Sequence, residues 1–417
     1  MEPWQERLWS SGGLSVNGLA SHSQGVAAVG FGSGFVDIGG EELWTDGWAT
    51  LFVAEYDNEG ALVWEHGIPA GSSGLFSFNY GYGASVAVDE DRVLVGGQFS
   101  GSADFGGESL TAVDTFEAFV AAYDHSGDLL WVEGLGASGL SVVTSVQSSH
   151  DGGAYVTGAF EGELAVEGAL PSDDTDIFLL RLDGAGQPVW SRTFGGNFRQ
   201  GGEAVAVARD GGVVVLAEVY GDLDFGGGDV EIPCCMWTHA IARYSVDGEF
   251  QWALGLEEGS SGPAGGRPSV VGLDDGSWAV TSRGRGLARV DDGGALLWSR
   301  EDLDVSFRGV AQSASGNLVV VVSFEPGKGL VWGERLRSPG AEDSAALIEV
   351  DVETGDIVDA RSFSAASDGG VQDITAGPLA MTAAERAYVA YGFYGSADFG
   401  LGPVEGEDVL VASPAFD

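Results

Sequence analysis

One phrase recurs along this chain and restricts it to a repeat fold. An apolar, alternating strand ends in Asp, turns tightly at Gly, and continues into a strand that carries Trp. It reads Phe-Val-Ala-Glu-Tyr-Asp-Asn-Glu-Gly-Ala-Leu-Val-Trp at 52–64 and Phe-Val-Ala-Ala-Tyr-Asp-His-Ser-Gly-Asp-Leu-Leu-Trp at 119–131. It returns as Phe-Leu-Leu-Arg-Leu-Asp-Gly-Ala-Gly-Gln-Pro-Val-Trp at 178–190. Weaker copies end at Trp252 and Trp298, and a sixth has Asp359 in place of Trp. Successive copies lie 67, 59, 62, 46 and 61 residues apart. A recurrence of this kind marks stacked units that cannot bury an apolar face alone.

A second phrase precedes each copy: a short strand, a polar turn, and a strand rich in Val and Gly. Examples lie at 85–97 and 204–216, and seven begin near Val16, Ser85, Val142, Ala204, Ser269, Gly309 and Val371. Each unit therefore reads as four strands, A to D, with period-2 patterning and Gly/Asp turns. No stretch has a helical period. The last unit stops at its third strand, Val409 to Ala412, while Arg7-Leu8-Trp9-Ser10 matches the strand at 297–300. A ring explains the offset, because closure removes two exposed sheet edges. The expected fold is all-β: one seven-bladed β-propeller of four-stranded antiparallel blades, its ring closed by the N-terminal strand. The blades are expected at 14–67, 84–134, 141–194, 203–255, 268–300, 307–363 and 371–417 plus 6–11.

Composition narrows the function. The chain has 63 Asp+Glu against 18 Lys+Arg, a formal net charge of −45. Phosphate contacts need clustered Lys/Arg, so the acid excess argues against a nucleic-acid binder and disfavours an anionic membrane surface. The hydrophobic fraction, 44%, suffices for a core. No apolar run reaches the length of a membrane-spanning helix.

The phrase Gly-Ser-Ala-Asp-Phe-Gly-Gly (101–107) recurs as Gly-Asp-Leu-Asp-Phe-Gly-Gly (221–227) and Gly-Ser-Ala-Asp-Phe-Gly (395–400), with a looser form at 34–40. Together with the Tyr-Asp and Leu-Trp phrases, it resembles the seven-bladed propeller repeats, often called SBBP repeats, of bacterial secreted and surface proteins. That resemblance implies a propeller and an extracytoplasmic address, periplasmic, secreted or outer-surface. It carries no shared catalytic residues. The N-terminus shows no basic region followed by an apolar one. A cytoplasmic chain and one whose signal peptide is absent both fit, and the repeat type favours the second. The Asp-x-x-Gly-x-Leu-x-Trp turn is also similar to repeats of quinone-binding propellers and outer-membrane assembly scaffolds. The similarity implies that Trp64, Trp131, Trp190, Trp252 and Trp298 pack between blades.

The A–B and C–D turns are short, so irregular length collects on the face of the B–C and D–A loops, where binding is expected. The D–A loop of the first unit carries Phe76, Phe78, Asn79, Tyr80 and Tyr82, rings suited to stacking on a sugar or gripping a peptide. Trp44 and Trp48 in the first B–C loop and Phe198 and Arg199 in a later D–A loop belong to the same face. Adjacent Cys234 and Cys235 allow three readings: a strained disulfide, soft ligands for Cu(I) beside Met236 and His239, or free thiols. The disulfide is the first reading, and no metal site is assigned. Six Arg between 267 and 308 form an island open to an anion or to pairing with acids. Asp222 and Asp224 lack the spacing of a calcium loop and fit acceptance of turn amides. The five His are scattered over different units, and no nucleophile motif or phosphate loop occurs. The expected function is a non-enzymatic extracytoplasmic binding or scaffold module without cofactor. Its partner would be a protein or carbohydrate, and the chain is expected to be a monomer. The alternative is an enzyme on the loop-rich face, such as a lyase, glycosidase or quinone-dependent dehydrogenase.

Overall fold

In the computed structural model the Asp-x-x-Gly phrase closes the hairpin between strands C and D. Asp57 Oδ1 accepts from the amides of Glu59 and Ala61 at 2.9 and 2.8 Å, and Gly60 N–H donates to Asp57 O at 3.1 Å. Asp124, Asp183 and Asp291 cap their turns in the same way. The structure describes residues 3–39, 43–69, 84–113, 116–166, 172–196, 198–230, 237–256, 268–282, 286–300, 305–324, 330–331, 334–335, 344–366, 375–382, 386–392, 395–398, 403–406 and 410–412.

The turn glycine has a positive φ, 87° at Gly127, and the reason is packing as well as turn geometry. The Trp of strand D in one blade lies flat against the turn glycine of the next. A Cβ on Gly186 would stand 2.6 Å from the Trp131 ring, and one on Gly248 would stand 2.8 Å from Trp190. Trp64 meets Gly127, Trp252 meets Gly294 and Trp298 meets Gly355 in the same way. Four of these indoles also donate to a carbonyl of that turn: Trp131 to Gly184, Trp190 to Val246, Trp252 to Asp292 and Trp298 to Val352, at 2.8–3.1 Å. The expected inter-blade role of the five Trp is what the structure shows.

Six blades each form from one contiguous stretch of chain. Their innermost strands are Leu14–His22, Ala84–Val88, Ser141–Ser148, Gly201–Val207, Ser269–Gly272 and Val305–Gln312. Four-strand antiparallel order repeats in all six. Blade one adds a fifth strand, Trp9–Ser10, paired with Val36 and Asp37. Blade six gains two strands, Gly395–Asp398 and Pro403–Gly406, through Ser364↔Asp398.

The expectation of seven equivalent four-stranded blades is corrected by this topology. The chain builds six blades, not seven, as contiguous units. The remaining place in the ring holds a composite closing sheet: Thr375–Met381, Ala387–Gly392, Leu410–Ala412 and, from the other end of the chain, Gln5–Arg7. Its innermost strand, Thr375–Met381, touches those of blades six and one. The closing register also differs from the expectation for Arg7 to Ser10. Gln5, Glu6 and Arg7 face Ala412, Val411 and Leu410, while Trp9 and Ser10 belong to blade one. The Trp that meets blade one is therefore Trp4, whose ring would lie 2.6 Å from a Cβ on Gly60. Trp9 is 37% exposed.

The core lies between blades. Side chains of blades one and two share one cluster that includes Val53, Ile68, Val95, Phe105 and Phe119. Analogous clusters join later blades.

This register makes a discriminating prediction. Trp4→Ala removes an inter-sheet contact and should cost about 2–3 kcal/mol in urea unfolding, near the lower end for large-to-small changes at packed sites. Trp9→Ala should stay within about 0.5 kcal/mol of wild type. Equal losses for the two would overturn the register.

Candidate functional site

The outer groove between consecutive blades is built by a recurring rule. After five of the six Trp, strand D places an apolar residue four positions on: Ile68 after Trp64, Leu135 after Trp131, Phe194 after Trp190, Leu256 after Trp252, and Leu8 after Trp4; Trp298 has Asp302 at that spacing. The B–C insertion of the following blade lays a side chain on it. Phe105 packs in the cluster of Ile68, Leu164 and Val166 in that of Leu135, and Ile38 in that of Leu8. Phe225 meets Phe194 at 5.3 Å between ring centroids. The Asp of the Asp-Phe-Gly phrase shapes the hairpin: Asp104 accepts from Gly106 and Gly107, and Asp224 accepts from Gly226 and Gly228 at 2.7 and 2.8 Å. This is the turn-amide role read for Asp224. Those bonds hold its carboxyl below the usual range. Tyr56, Tyr123 and Tyr244 tie down the insertions, donating to the carbonyls of Ile38, Phe105 and Phe225 at 2.6, 3.0 and 2.7 Å. Burial pushes all three phenols up, so they act as neutral donors.

Blade five departs from the rule. Its strands Trp278–Ser282 and Gly286–Val290 are joined by three residues, and Val290 stands where Tyr would anchor an insertion. The groove beside Leu256 is a pocket of about 300 Å³. Leu254 and Leu256 of blade four form one wall; Val280, Leu287 and Ala288 of blade five form the other. Leu296, 51% exposed, and Ser299 and Arg300 form the rim.

The opposite face, formed by A–B and C–D turns, is pinned by buried guanidiniums. Arg92 bonds the carbonyls of Gly152, Gly153 and Gly184 in the next blade. Arg181 pairs with Asp151. Arg243 pairs with Asp210 and reaches Asp292 of blade five; Arg289 pairs with Asp275 and reaches Glu353 of blade six at 3.0 Å. Arg386 bonds Asn58 O. The Arg island is thus, in its described members, a set of partnered groups: Arg289 as above, Arg300 with Asp356 at 3.0 Å, and Arg308 with Ser323 at 3.2 Å.

At the junction of blades one and two the pin is different. The strand-C position filled by Arg181, Arg243 and Arg289 holds Glu55, 3% exposed. His22 Nε2 and His125 Nδ1 both lie 2.9 Å from Glu55 Oε1, and Trp64 Nε1 donates to Oε2 at 2.8 Å. The two imidazoles stack at 4.6 Å. Burial raises the Glu55 carboxyl, but His22, His125 and Trp64 around it outweigh that and leave it lowered. The sequence kept these His apart as scattered turn residues; ring stacking of blades brings them together.

The sequence candidates fall as follows. Phe76, Phe78, Asn79, Tyr80, Tyr82, Cys234 and Cys235 lie outside the described residues. Trp44 and Trp48 belong to strand Leu43–Asp57, and their side chains lie outside the described set. Phe198 is 50% exposed and meets Tyr220 edge-on at 4.8 Å, and Arg199 pairs with Asp174 at 3.3 Å. No helix among the described residues is long and apolar enough to cross a membrane. The groove at Leu256 had a sequence signal, the absent insertion in unit five, which was read only for its arginines.

No known protein-family profile matches the chain, so the resemblance to SBBP repeats gains no support from that comparison. An uncharacterized WD repeat-containing protein of Acanthamoeba polyphaga mimivirus is 27% identical over 156 residues, 34% of this chain and 11% of that relative. This chain therefore matches only about a tenth of that relative's length. Among solved structures, the Dos1 propeller aligns over 99% of this chain and 95% of its own, with 8% identity and a TM-score of 0.48. The C-terminal WD40 domain of Sif2 aligns over 98% and 99%, with 11% identity and a TM-score of 0.44. The chain is a β-propeller with WD40 domains among its structural neighbours.

The pins make stability sensitive to acid. Burial raises the Asp275 carboxyl, but Ser277 and the Arg289 guanidinium outweigh it and bring it to about 2. An unfolded Asp titrates near 3.9. The pin's contribution is therefore full above about pH 4 and is lost as pH falls through about 2. Asp275→Asn should lower the melting temperature at pH 6 and narrow the gap to wild type at pH 2. A gap that stays constant from pH 6 to pH 2 would refute the pairing.

Proposed function

We propose that the chain is a non-enzymatic binding and scaffold module that takes a partner protein's aromatic side chain in the groove between blades four and five. The observation that carries this is the unfilled homologous slot. The chain fills the equivalent grooves with its own insertions, Phe105 on Ile68 and Phe225 on Phe194. The wall at Leu254, Leu256 and Leu287 offers the same kind of apolar seat, and among the described residues no insertion of blade five occupies it. Burying an aromatic there gains about 1.5–3 kcal/mol. An extended loop with a central Phe is the ligand that the chain's own packing describes.

The test uses the protein's own insertion in trans. A cyclised peptide of residues 101–111, labelled for fluorescence anisotropy, should bind saturably. The Phe105→Ala peptide should bind about tenfold or more weakly, since 1.4 kcal/mol is one decade. Ala288→Trp, which fills the groove, should abolish binding with the fold intact by circular dichroism, whereas Leu130→Glu on another blade should not. Equal binding by Ala288→Trp and wild type would exclude this groove.

An extracytoplasmic site of action is part of the proposal. It is supported by the repeat phrases and by adjacent Cys234 and Cys235, residues that an oxidising compartment would join. Chain recovered from an exporting host should take up no alkyl groups without reductant. Two added groups by intact mass would count against export.

A further inference from the structure

We propose that His22, Glu55 and His125 form a transition-metal site, of the zinc type, that clamps blade one to blade two. Hydrogen-bond inventory leads to it. His125 Nε2 lies 3.1 Å from Asp89 O, a group that only accepts, so Nε2 carries the proton. In a neutral ring Nδ1 then presents a lone pair, and 2.9 Å away it meets Glu55 Oε1, a second acceptor. His22 Nε2 lies at the same distance from that oxygen, is buried, and lacks hydrogen-bond alignment with it. Three electron-pair donors thus converge, all within 4.8 Å of one another.

A single proton on His125 Nδ1 would satisfy its contact with Glu55 and leave His22 Nε2 unengaged, whereas a metal ion takes all three donors. Protons on both imidazoles would set two like charges face to face, with ring centroids 4.6 Å apart and planes at 19°. One divalent cation satisfies all three donors without that repulsion. Two imidazoles and one carboxylate suit zinc, with bonds of about 2.0–2.2 Å, and disfavour calcium, which takes oxygen. Donors around a tetrahedral zinc stand about 3.3 Å apart, so binding would turn the two imidazoles out of their stack, now 19° between planes, until both lone pairs meet at the metal. The outer contacts are those of a metal site. Asp89 O fixes the His125 tautomer, and Trp64 Nε1 holds the second carboxylate oxygen at 2.8 Å. His125 is the most exposed of the three, with its side chain 23% accessible, so a fourth position opens toward solvent on its side. The location gives the site a purpose. Blades two, four and five pin the next blade's turns with Arg92, Arg243 and Arg289, and this junction has a carboxylate at the pinning position instead.

The test is a zinc titration of the intact chain, followed by calorimetry and melting temperature, in millimolar calcium to occupy surface acids. One tight equivalent and a raised melting temperature are expected. His22→Ala and His125→Ala should each weaken that equivalent by about 100-fold or more. Trp64→Phe, which leaves the ligands in place, should weaken it by about tenfold, as outer contacts do. Displacement by calcium, the absence of a tight equivalent, or unchanged binding in either His variant would overturn the site. Should those variants fail to fold, the wild-type cobalt complex decides: two paramagnetically shifted imidazole N–H signals are expected, and their absence overturns the proposal.

Discussion

The flat contact between an indole and a turn glycine sets the spacing of this ring. A blade is a twisted sheet, and two such sheets can meet at many rotations. The strand-D Trp removes that freedom, because its ring fits only where the next blade's turn offers a residue without a Cβ. At Gly186 and Gly294 a Cβ would enter within 2.6 and 2.7 Å of the ring. The same glycine must also hold a left-handed φ to close its hairpin. One residue type thus serves turn and interface together, which is why the phrase Asp-x-x-Gly…Trp returns with so little variation in frame.

The frame then propagates outward. With each Trp fixed on the neighbouring turn, the residue four places later sits under that neighbour's B–C insertion. Ile68, Leu135, Phe194 and Leu8 each receive a side chain there. Leu256 stands in the same position, and among the described residues no insertion lies above it, in keeping with the three-residue connection in blade five. Binding capacity here arises by omission from a packed pattern. The loop-rich face and the rim groove are separate opportunities, since one depends on loop sequence and the other on blade register.

Much of this was legible in the sequence, and the failures have definite causes. Period-2 strands, the Asp/Gly turns and the inter-blade Trp were readable because each is local. The closing strand was misread by five residues: Leu8-Trp9-Ser10 copies Leu297-Trp298-Ser299 in composition, whereas Trp4 and Leu8 share the spacing of Trp64 and Ile68. Spacing is what packing tests, so it should have outranked local identity. The equal-blade expectation failed for a related reason, since hairpins 395–406 and residues 9–10 pair across unit boundaries that the sequence makes look self-contained. His22 and His125 lie far apart in the chain, and nothing local joins them. Their meeting follows only once strand A of one blade and the C–D turn of the next are placed side by side.

Charge ties these features together. The chain has 18 basic residues for 63 acidic ones, yet Arg92, Arg181, Arg243 and Arg289 are all at most 6% exposed. These four guanidiniums lie inward, on carbonyls and carboxylates within or between blades, while Arg199 and Arg209 stay exposed. A buried guanidinium there satisfies turn carbonyls that would otherwise be stranded. Glu55 reverses the sign at the junction of blades one and two; Glu349 holds the same strand-C position in blade six, where Asn317 donates to it at 2.8 Å. Beside Glu55 the neighbouring indole turns from the turn carbonyl to the carboxylate, and His66 Nε2 meets a different carbonyl of that turn, Gly127 O, at 2.9 Å. The indole N–H on one carboxylate oxygen and the two imidazoles on the other offset the desolvation that an unpaired buried carboxylate would suffer at this junction.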